Sequence, residues 1–172
     1  LALLVNSPKK IKLIGDKSLS KRDFSRVIQP LKKFGANFYP KNKTTLPIFI
    51  KGKNFIKPIN YFENKGSAQC KSAVMLAALR ASGKTFIKAK KSRDHTEILF
   101  KKLKIPIYIK KTKQYDYIKI KGKKSFKAFN YNIPGDISSS AFFIVLTLLA
   151  EKSNLIIKNV NINPSRVGVI TI

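Results

Sequence analysis

A short Gly-Asp-x-Ser sequence occurs twice in the chain, each time between a predicted strand and a predicted helix. The first copy is Gly15-Asp16-Lys17-Ser18 and the second is Gly135-Asp136-Ile137-Ser138. Aspartate and serine favour a helix start, because their side chains accept hydrogen bonds from the amides of the first turn. Predicted strands, helices and hairpins recur roughly every 50 to 70 residues, which indicates a repeated α/β unit rather than one wound sheet.

The first half of the chain alternates predicted strands and helices. A strand over 10–14 leads to a helix that ends at Gly35. The apolar face of this helix repeats at helical spacing and comprises Phe24, Val27, Ile28, Leu31 and Phe34. Further strands are predicted at 38–39 and 46–50. A helix over 68–80 begins at the N-cap Ser67, and its many small residues predict close packing against its neighbours.

The second half continues the alternation. A strand at 85–88 precedes a helix opened by Ser92-Arg93-Asp94, and we expect this helix to face inward through Ile98, Leu99 and Leu103. Alternating apolar and polar residues at 106–109 and 115–120 predict an antiparallel hairpin. A helix over 141–150 is apolar nearly all round and is therefore expected to be deeply buried. A strand is predicted at 155–160.

The basic excess is large, with 36 basic and 8 acidic residues and a net charge of +28. Such an excess is typical of proteins that bind nucleic acids or anionic membranes. Only five of the basic residues are arginine, the side chain that favours base-edge and bidentate phosphate recognition. The lysines are spread along the chain, and three aromatic residues near lysines do not establish a stacking platform: Phe126, Phe129 and Tyr131. A solvated lysine-rich surface is the preferred interpretation.

Cysteine content and hydropathy indicate a cytoplasmic protein without a membrane anchor. Cys70 is the only cysteine, so no intrachain disulfide can form, as is usual in a reducing compartment. No apolar run approaches the ~20 residues that a membrane helix needs. The chain opens at Leu1 without an initiator methionine and closes on an apolar run at 167–172, so we expect it to be an internal fragment.

Four stretches of sequence together carry a family resemblance. They read GDKSLSKR at 15–22, GSAQCKSA at 66–73, SRDHTE at 92–97 and PGDISSSAF at 134–142, with NPSR following at 163–166. In this order and spacing they resemble the bacterial class of the EPSP synthase family, the 3-phosphoshikimate 1-carboxyvinyltransferases. The chain departs from the family at Asp23-Phe24, where Pro-Met is usual, and at Cys70, where an aliphatic residue is common.

The resemblance implies an α/β (α+β) fold of repeated βαβαββ units, with helices inside and sheets outside. Members of the family have two globules. By this resemblance we expect residues 1–132 to form part of the first globule, on the shikimate 3-phosphate side. Residues 133–172 are then expected to begin the second globule.

The resemblance also implies a transferase activity in the shikimate pathway, which leads to chorismate and aromatic amino acids. The family transfers an enolpyruvyl group from phosphoenolpyruvate to the 5-hydroxyl of shikimate 3-phosphate. Its members work as monomers and need neither a metal nor an organic cofactor. Their acid–base residues match no part of this chain, so no catalytic residue is expected here and the chain alone is expected to be inactive.

The resemblance assigns substrate-binding roles to five residues. Those implied for shikimate 3-phosphate are Ser67, Ala68, Gln69 and Arg93. Those implied for phosphoenolpyruvate are Arg22 and Gln69.

The residues themselves leave simpler interpretations open for each position. From the residues alone, a plain helix cap is the preferred interpretation of Ser67, and an exposed arginine on a basic helix is that of Arg22. Gln69 can be a solvated first-turn residue. Arg93 is as readily explained by an ion pair with Asp94 or Glu97.

Several other polar residues are given structural interpretations. His95 is the only histidine, and no second histidine or cysteine cluster supports a metal site. Cys70 lies among small residues on a predicted helix and is expected to be buried and inert. Asp136 and the serines at 138–140 are expected to cap a helix, whereas Arg166 is assigned no role.

Two alternative functions stay open. One is a lysine-rich nucleic-acid-binding module, against which stand the few arginines. The other is the sibling transferase that acts on UDP-N-acetylglucosamine, against which stand the stretches around Ser67 and Arg93.

Overall fold

The computed structural model of the protein describes residues 1–122, 125 and 127–170. The chain divides into two compact units, Leu1–Lys127 and Ala128–Ile172. Phe126, one of the three aromatic residues considered above, lies outside the described residues, as do the last two residues of the apolar run at 167–172. Within the described ranges, no helix has the length and apolar character needed to cross a membrane.

The first unit opens with a three-stranded antiparallel sheet in the order β1–β3–β2. Its strands are β1 (Lys10–Leu13), β2 (Asn37–Tyr39) and β3 (Ile48–Lys51). Lys51 of the central strand stands opposite Lys10 on one side and Asn37 on the other. The three predicted strands are confirmed, with shifts of one or two residues at their ends.

Two helices, α1 (Lys17–Ser20) and α2 (Ser25–Lys33), replace the single helix predicted between β1 and β2. The Asp16 carboxylate accepts a hydrogen bond from the Leu19 amide at 2.6 Å, which confirms the predicted helix start. Asp23 accepts one from the Ser25 amide at 2.9 Å and so begins a second helix. The predicted apolar face is buried at Val27, Ile28, Leu31 and Phe34.

Residues 60–121 form a full βαβαββ unit around a four-stranded sheet of order β4–β5–β7–β6. In chain order the elements are β4 (Asn60–Glu63), α3 (Ala68–Ala78), β5 (Lys84–Lys90), α4 (His95–Lys102), β6 (Ile107–Lys111) and β7 (Tyr115–Lys121). β4 pairs with β5 in parallel, and the other pairs are antiparallel. The predicted strand at 85–88 and the predicted hairpin are confirmed. β4 has no counterpart among the predicted strands, because it is short and its Phe62 is exposed.

α3 is the buried centre of the first unit. Its Val74, Met75, Ala77 and Ala78 are fully buried. Alanine side chains allow the close approach of α2 and β5, both of which contact α3. The predicted helix and its close packing are therefore confirmed.

The inward face of α4 differs from the predicted one. Ile98 and Leu99 are 52% and 36% exposed, whereas Glu97 and Phe100 are 3% and 1% exposed. The prediction is wrong for Ile98 and Leu99 because residues three apart share a helix face, and Phe100 shares its face with Glu97. Leu103, the third predicted residue, is partly buried against the core.

The second unit contains α5 (Ile137–Leu149) and a short 3-10 helix, Val167–Ile170. The predicted helix is present, but its expected deep burial is not found within these residues: Phe142, Leu148 and Leu149 are each 80% exposed. A helix is buried on all sides only where other elements surround it, and in the described part of this unit α5 contacts the 3-10 helix.

The strand predicted at 155–160 is also wrong. Only a single parallel bridge forms there, between Gly135 and Val160. A strand needs a partner to satisfy its backbone groups, and the described part of the second unit contains no other strand.

Candidate functional site

A cavity of about 240 Å³ lies where α3 and α4 begin. It is lined by Ala68, Gln69, Ser72, Arg93, His95 and Thr96. Three of the five predicted substrate-binding residues therefore lie around one cavity: Ala68, Gln69 and Arg93.

The start of α3 supplies amide donors beside this cavity. Ser67 is the N-cap, and its hydroxyl accepts a hydrogen bond from the Cys70 amide at 3.3 Å. The amides of Ala68 and Gln69 belong to the first turn of α3, where no acceptor within the helix is available. They carry the partial positive charge of a helix N-terminus, which suits an anion. Ser67 itself is not among the lining residues, so its predicted contact with phosphate stays a prediction.

Gly66 allows the segments that precede the two helices to approach each other. Its φ of 70° is a conformation that favours glycine. A Cβ placed on Gly66 would lie 3.3 Å from the carbonyl oxygen of Lys91. This close approach keeps the N-terminal ends of α3 and α4 side by side.

Arg93 is exposed at the rim of the cavity, and lysines bind the two carboxylates considered as its partners. Lys111 Nζ lies 2.9 Å from Asp94, and Lys71 Nζ lies 2.6 Å from Glu97. Within the described part of the chain, no salt bridge of Arg93 is found. The hydrogen bond to Asp94 raises the pKa of Lys111. The arrangement leaves the guanidinium of Arg93 available to an anionic ligand.

Two contacts join α3 to α4 next to the cavity. The ion pair between Lys71 and Glu97 is almost completely buried, with 0% and 3% of the side chains exposed. The hydroxyls of Ser72 and Thr96 lie 2.7 Å apart. Nothing in the sequence singles out Lys71, since lysine is expected to be exposed unless it is paired. Ser72, the next residue, is likewise distinguished in the sequence only by its place in the stretch at 66–73 that resembles the family.

Arg22 is not among the residues that line this cavity. It is exposed just after α1, and its amide donates to the Leu19 carbonyl at 3.1 Å. The structure thus brings together Ala68, Gln69 and Arg93 of the residues predicted for shikimate 3-phosphate but does not bring Arg22 to them. The predicted role of Arg22 stays a prediction.

His95 and Cys70 have different surroundings. His95, predicted to be structural, lines the cavity. Its place two residues after Arg93 was the signal in the sequence for this position. Cys70 is 2% exposed, so its predicted burial is confirmed. Among the described residues, no group of three or more histidine, cysteine or acidic side chains is arranged to hold a metal ion.

A separate polar cluster lies at the start of α5 in the second unit. Asp136 is the N-cap, as predicted, and accepts from the Ser138 amide at 3.1 Å. Arg166 binds the same carboxylate at 2.8 Å and also contacts the Ser138 hydroxyl. The Ser138 amide, and after it Arg166, lowers the pKa of Asp136. Arg166, which had no predicted role, therefore binds the segment that follows the Gly135–Val160 bridge to Asp136, the N-cap of α5.

Comparison with known proteins identifies the family. The sequence model of EPSP synthase (3-phosphoshikimate 1-carboxyvinyltransferase) matches residues 1–172. A 3-phosphoshikimate 1-carboxyvinyltransferase of Thermotoga sp. (strain RQ2) is 42% identical over 161 residues, covering 93% of this chain and 37% of the relative. The enzyme of that name from Caldicellulosiruptor saccharolyticus is 44% identical over 162 residues, again 93% of this chain and 37% of the relative.

The comparison of structures identifies the same family. The structure of EPSP synthase from Acinetobacter baumannii superposes with a TM-score of 0.80 at 34% sequence identity, over 99% of this chain and 38% of that one. The mixed α/β architecture of the prediction is thereby confirmed. The chain spans somewhat over a third of the length of the relatives that it matches, and over all its residues it belongs to the EPSP synthase family.

Proposed function

We propose that the full-length protein to which this chain belongs transfers the enolpyruvyl group of phosphoenolpyruvate to the 5-hydroxyl of shikimate 3-phosphate. The 5-hydroxyl oxygen bonds to C2 of phosphoenolpyruvate while C3 takes up a proton, and loss of phosphate then restores the double bond. The products are 5-enolpyruvylshikimate 3-phosphate and phosphate. The observation that carries this proposal is the cavity at α3 and α4, which gathers Ala68, Gln69 and Arg93 in a chain of this family.

The roles proposed for these residues follow from their chemistry. Both substrates are polyanions, so their binding needs cations and amide donors that offset charge repulsion. The first-turn amides of α3, with Ser67 and Ala68, hold the phosphate of shikimate 3-phosphate. Gln69 can both donate and accept a hydrogen bond and lies between the two substrates. Arg93 binds shikimate 3-phosphate through its planar guanidinium.

The phosphoenolpyruvate site is completed by groups from elsewhere in the full-length protein. Arg22 contributes a guanidinium to it by the match of the stretch at 15–22. Residues 1–132 belong to the first globule and 133–172 begin the second, so the chain alone holds one part of the site and is inactive. The full-length protein acts in the cytoplasm as a monomer.

The test measures phosphate release by the full-length protein from phosphoenolpyruvate, with and without shikimate 3-phosphate. Release should require shikimate 3-phosphate. Arg93→Ala removes a charge-assisted hydrogen bond of about 1.5–3 kcal/mol, so the KM for shikimate 3-phosphate should rise roughly 10- to 100-fold. Arg22→Ala should raise the KM for phosphoenolpyruvate instead, and Gln69→Ala should lower kcat/KM for both substrates.

Arg26→Ala is the matched control, because Arg26 is also exposed and lies on the outer side of α2. Its kinetics should equal those of the wild type. Release of phosphate from a folded protein without any need for shikimate 3-phosphate would refute the proposed activity. An unchanged KM in Arg93→Ala would refute the proposed site alone.

A further inference from the structure

The four-stranded sheet of the first unit has one buried face and one exposed face, here called the outer face. Two rows of side chains cross the strands on this face, and paired residues in each row stand directly opposite one another. In strand order β4–β5–β7–β6, the first row is Phe62, Lys88, Tyr117 and Lys110. The second row is Asn60, Phe86, Lys119 and Tyr108. Except at Asn60, aromatic and lysine side chains thus alternate along each row and from one row to the other.

The aromatic side chains of the outer face are accessible. Phe62, Phe86, Tyr108 and Tyr117 are between 41% and 61% exposed. A shallow depression of about 780 Å³ lies over both rows and is lined by these four rings. Several large exposed rings around one depression of a folded domain favour a surface that binds a partner.

The lysines of the outer face lie against its rings. Lys88 Nζ is 5.1 Å from the ring centroid of Phe62 and 4.5 Å from that of Tyr115. Lys119 Nζ is 5.7 Å from the ring centroid of Tyr108. Lys88 Nζ is also 5.9 Å from the ring centroid of Tyr117. In these contacts the ammonium groups lie over the ring faces, so each cation stands in contact with the rings beside it.

Within the described strands of this sheet, no acidic side chain is exposed on the outer face to offset this charge. The strands β4 to β7 contain two acidic residues, Glu63 and Asp116, and these are 3% and 4% exposed. Exposed lysines at the same alternation extend the charge beyond the two rows: Lys84, Lys90 and Lys121. The outer face is therefore aromatic and wholly cationic.

This combination selects among anionic partners. An acidic peptide would neutralise the lysines but leave the flat rings unused, and a bilayer needs protruding apolar side chains rather than rings set between ammonium groups. A single-stranded nucleic acid uses both components, because its bases stack on rings and its phosphates bind lysine. Phe86 and Tyr117 are diagonal neighbours on adjacent strands, a separation of about 7–8 Å that suits successive bases of an extended strand.

We infer that the outer face binds single-stranded RNA. Four-stranded sheets that recognise RNA stack two or three bases on aromatic side chains, and here Phe86 and Tyr117 lie on the two central strands. Lys88 and Lys119 stand opposite them across the β5–β7 pair and bind the phosphates. Asn60, beside Phe86, can donate to or accept from a 2′-hydroxyl. This inference does not depend on the proposed transferase activity.

The first experiment titrates the full-length protein into a fluorescein-labelled, unstructured RNA of roughly 12 nucleotides and follows anisotropy. The double variant Phe86→Ala/Tyr117→Ala should raise Kd at least tenfold, because each lost stacking contact weakens binding several-fold or more. Tyr117→Phe keeps the ring and should bind like the wild type. The matched control is Phe55→Ala, which removes an 86% exposed ring outside the sheet and should leave Kd unchanged.

The second measurement separates phosphate contacts from stacking. Between about 50 and 200 mM salt, the slope of log K against log salt reports the number of phosphates that are neutralised. Lys88→Gln/Lys119→Gln should reduce this slope by about 2, one unit for each lysine. Lys41→Gln, an exposed lysine in the turn between β2 and β3, should leave the slope unchanged.

Three outcomes would overturn the inference. The first is unchanged Kd in the double alanine variant when circular dichroism shows that it is folded. The second is equal affinity for a duplex of the same sequence, whose stacked bases cannot reach the rings. The third is binding to phosphatidylglycerol vesicles that the same variants weaken while RNA binding is unaltered. Phosphate release by all these variants should equal that of the wild type, since none of the substituted residues lines the cavity at α3 and α4.

Discussion

The helices α3 and α5 are both rich in apolar residues and both begin at a side-chain cap, yet one is buried and the other is exposed. Met75 at the centre of α3 is 0% exposed, whereas Leu148 in α5 is 80% exposed. α3 contacts α2 and β5, while α5 contacts a single 3-10 helix within its described unit. The comparison teaches that composition decides which side chains gain from burial, and neighbouring elements decide whether they are buried.

The ion pairs of the two helix regions differ in the same way. Lys71 and Glu97 are 0% and 3% exposed, whereas Arg166 and Asp136 are 21% and 55% exposed. A buried pair costs much when one partner is lost, and an exposed pair costs little.

The largest effect is expected from Glu97→Ala. This substitution leaves the ammonium of Lys71 buried without a counter-charge, so the free energy of unfolding should fall by about 3–5 kcal/mol. Urea denaturation of the 172-residue chain measures it. Glu151→Ala, which removes an exposed glutamate, should stay within about 0.5 kcal/mol of the wild type. The double variant Lys71→Met/Glu97→Leu should regain most of the loss; if it is as unstable as Glu97→Ala, charge is not the cause.

The next largest effect is expected from Met75→Ala in α3, which is compared with Leu148→Ala in α5. Met75→Ala empties space in the core and should lower the free energy of unfolding by about 2–5 kcal/mol. Leu148→Ala removes a side chain that is exposed in α5 and should change it by at most about 0.5 kcal/mol. Both values come from urea denaturation of the 172-residue chain. Equal costs would contradict the contrast and would mean that α5 is covered in solution.

The smallest effect is expected from Arg166→Ala, and it should depend on pH. The Ser138 amide and Arg166 lower the pKa of Asp136 below its ordinary value of 3.8. The carboxylate therefore stabilises the folded state above pH 3.8, and this stabilisation is lost as the pH falls through the lower, folded-state pKa.

Urea midpoints of the Arg166→Ala variant should accordingly lie slightly below those of the wild type at pH 7. The gap should close on acidification. Lys158→Ala, which removes another exposed cation of the second unit, should show no such change of gap with pH. A gap that persists in strong acid would assign the effect of Arg166 to packing instead of charge.

The sequence predicted the helix positions and three of the cavity residues because those signals are local. Ser67 caps the start of α3, and the matching stretches at 66–73 and 92–97 contain Gln69 and Arg93. Helix caps and motif residues act within a few positions of each other, so a single sequence shows them.

The rest depended on contacts between distant residues. Glu97 is buried because Lys71, 26 positions earlier in the chain, neutralises it, and no periodicity shows such a pair. The outer face arises in the same manner: Phe86 and Lys119 stand opposite one another only through the β5–β7 register. In the sequence these lysines look evenly spread along the chain. Phe129 and Tyr131, two of the aromatic residues that the sequence places near lysines, instead contact each other, with ring centroids 6.0 Å apart.

The burial of Lys71 makes it a chemical reporter of the α3–α4 contact. Subtracting the five arginines from the 36 basic residues leaves 31 lysines, and Lys71 is fully buried. An amine-reactive reagent added to the folded protein should therefore acylate exposed lysines at once and reach Lys71 only when the two helices separate. The rate at which mass spectrometry detects acylated Lys71 would then measure how often the walls of the cavity part, without any mutation or bound ligand.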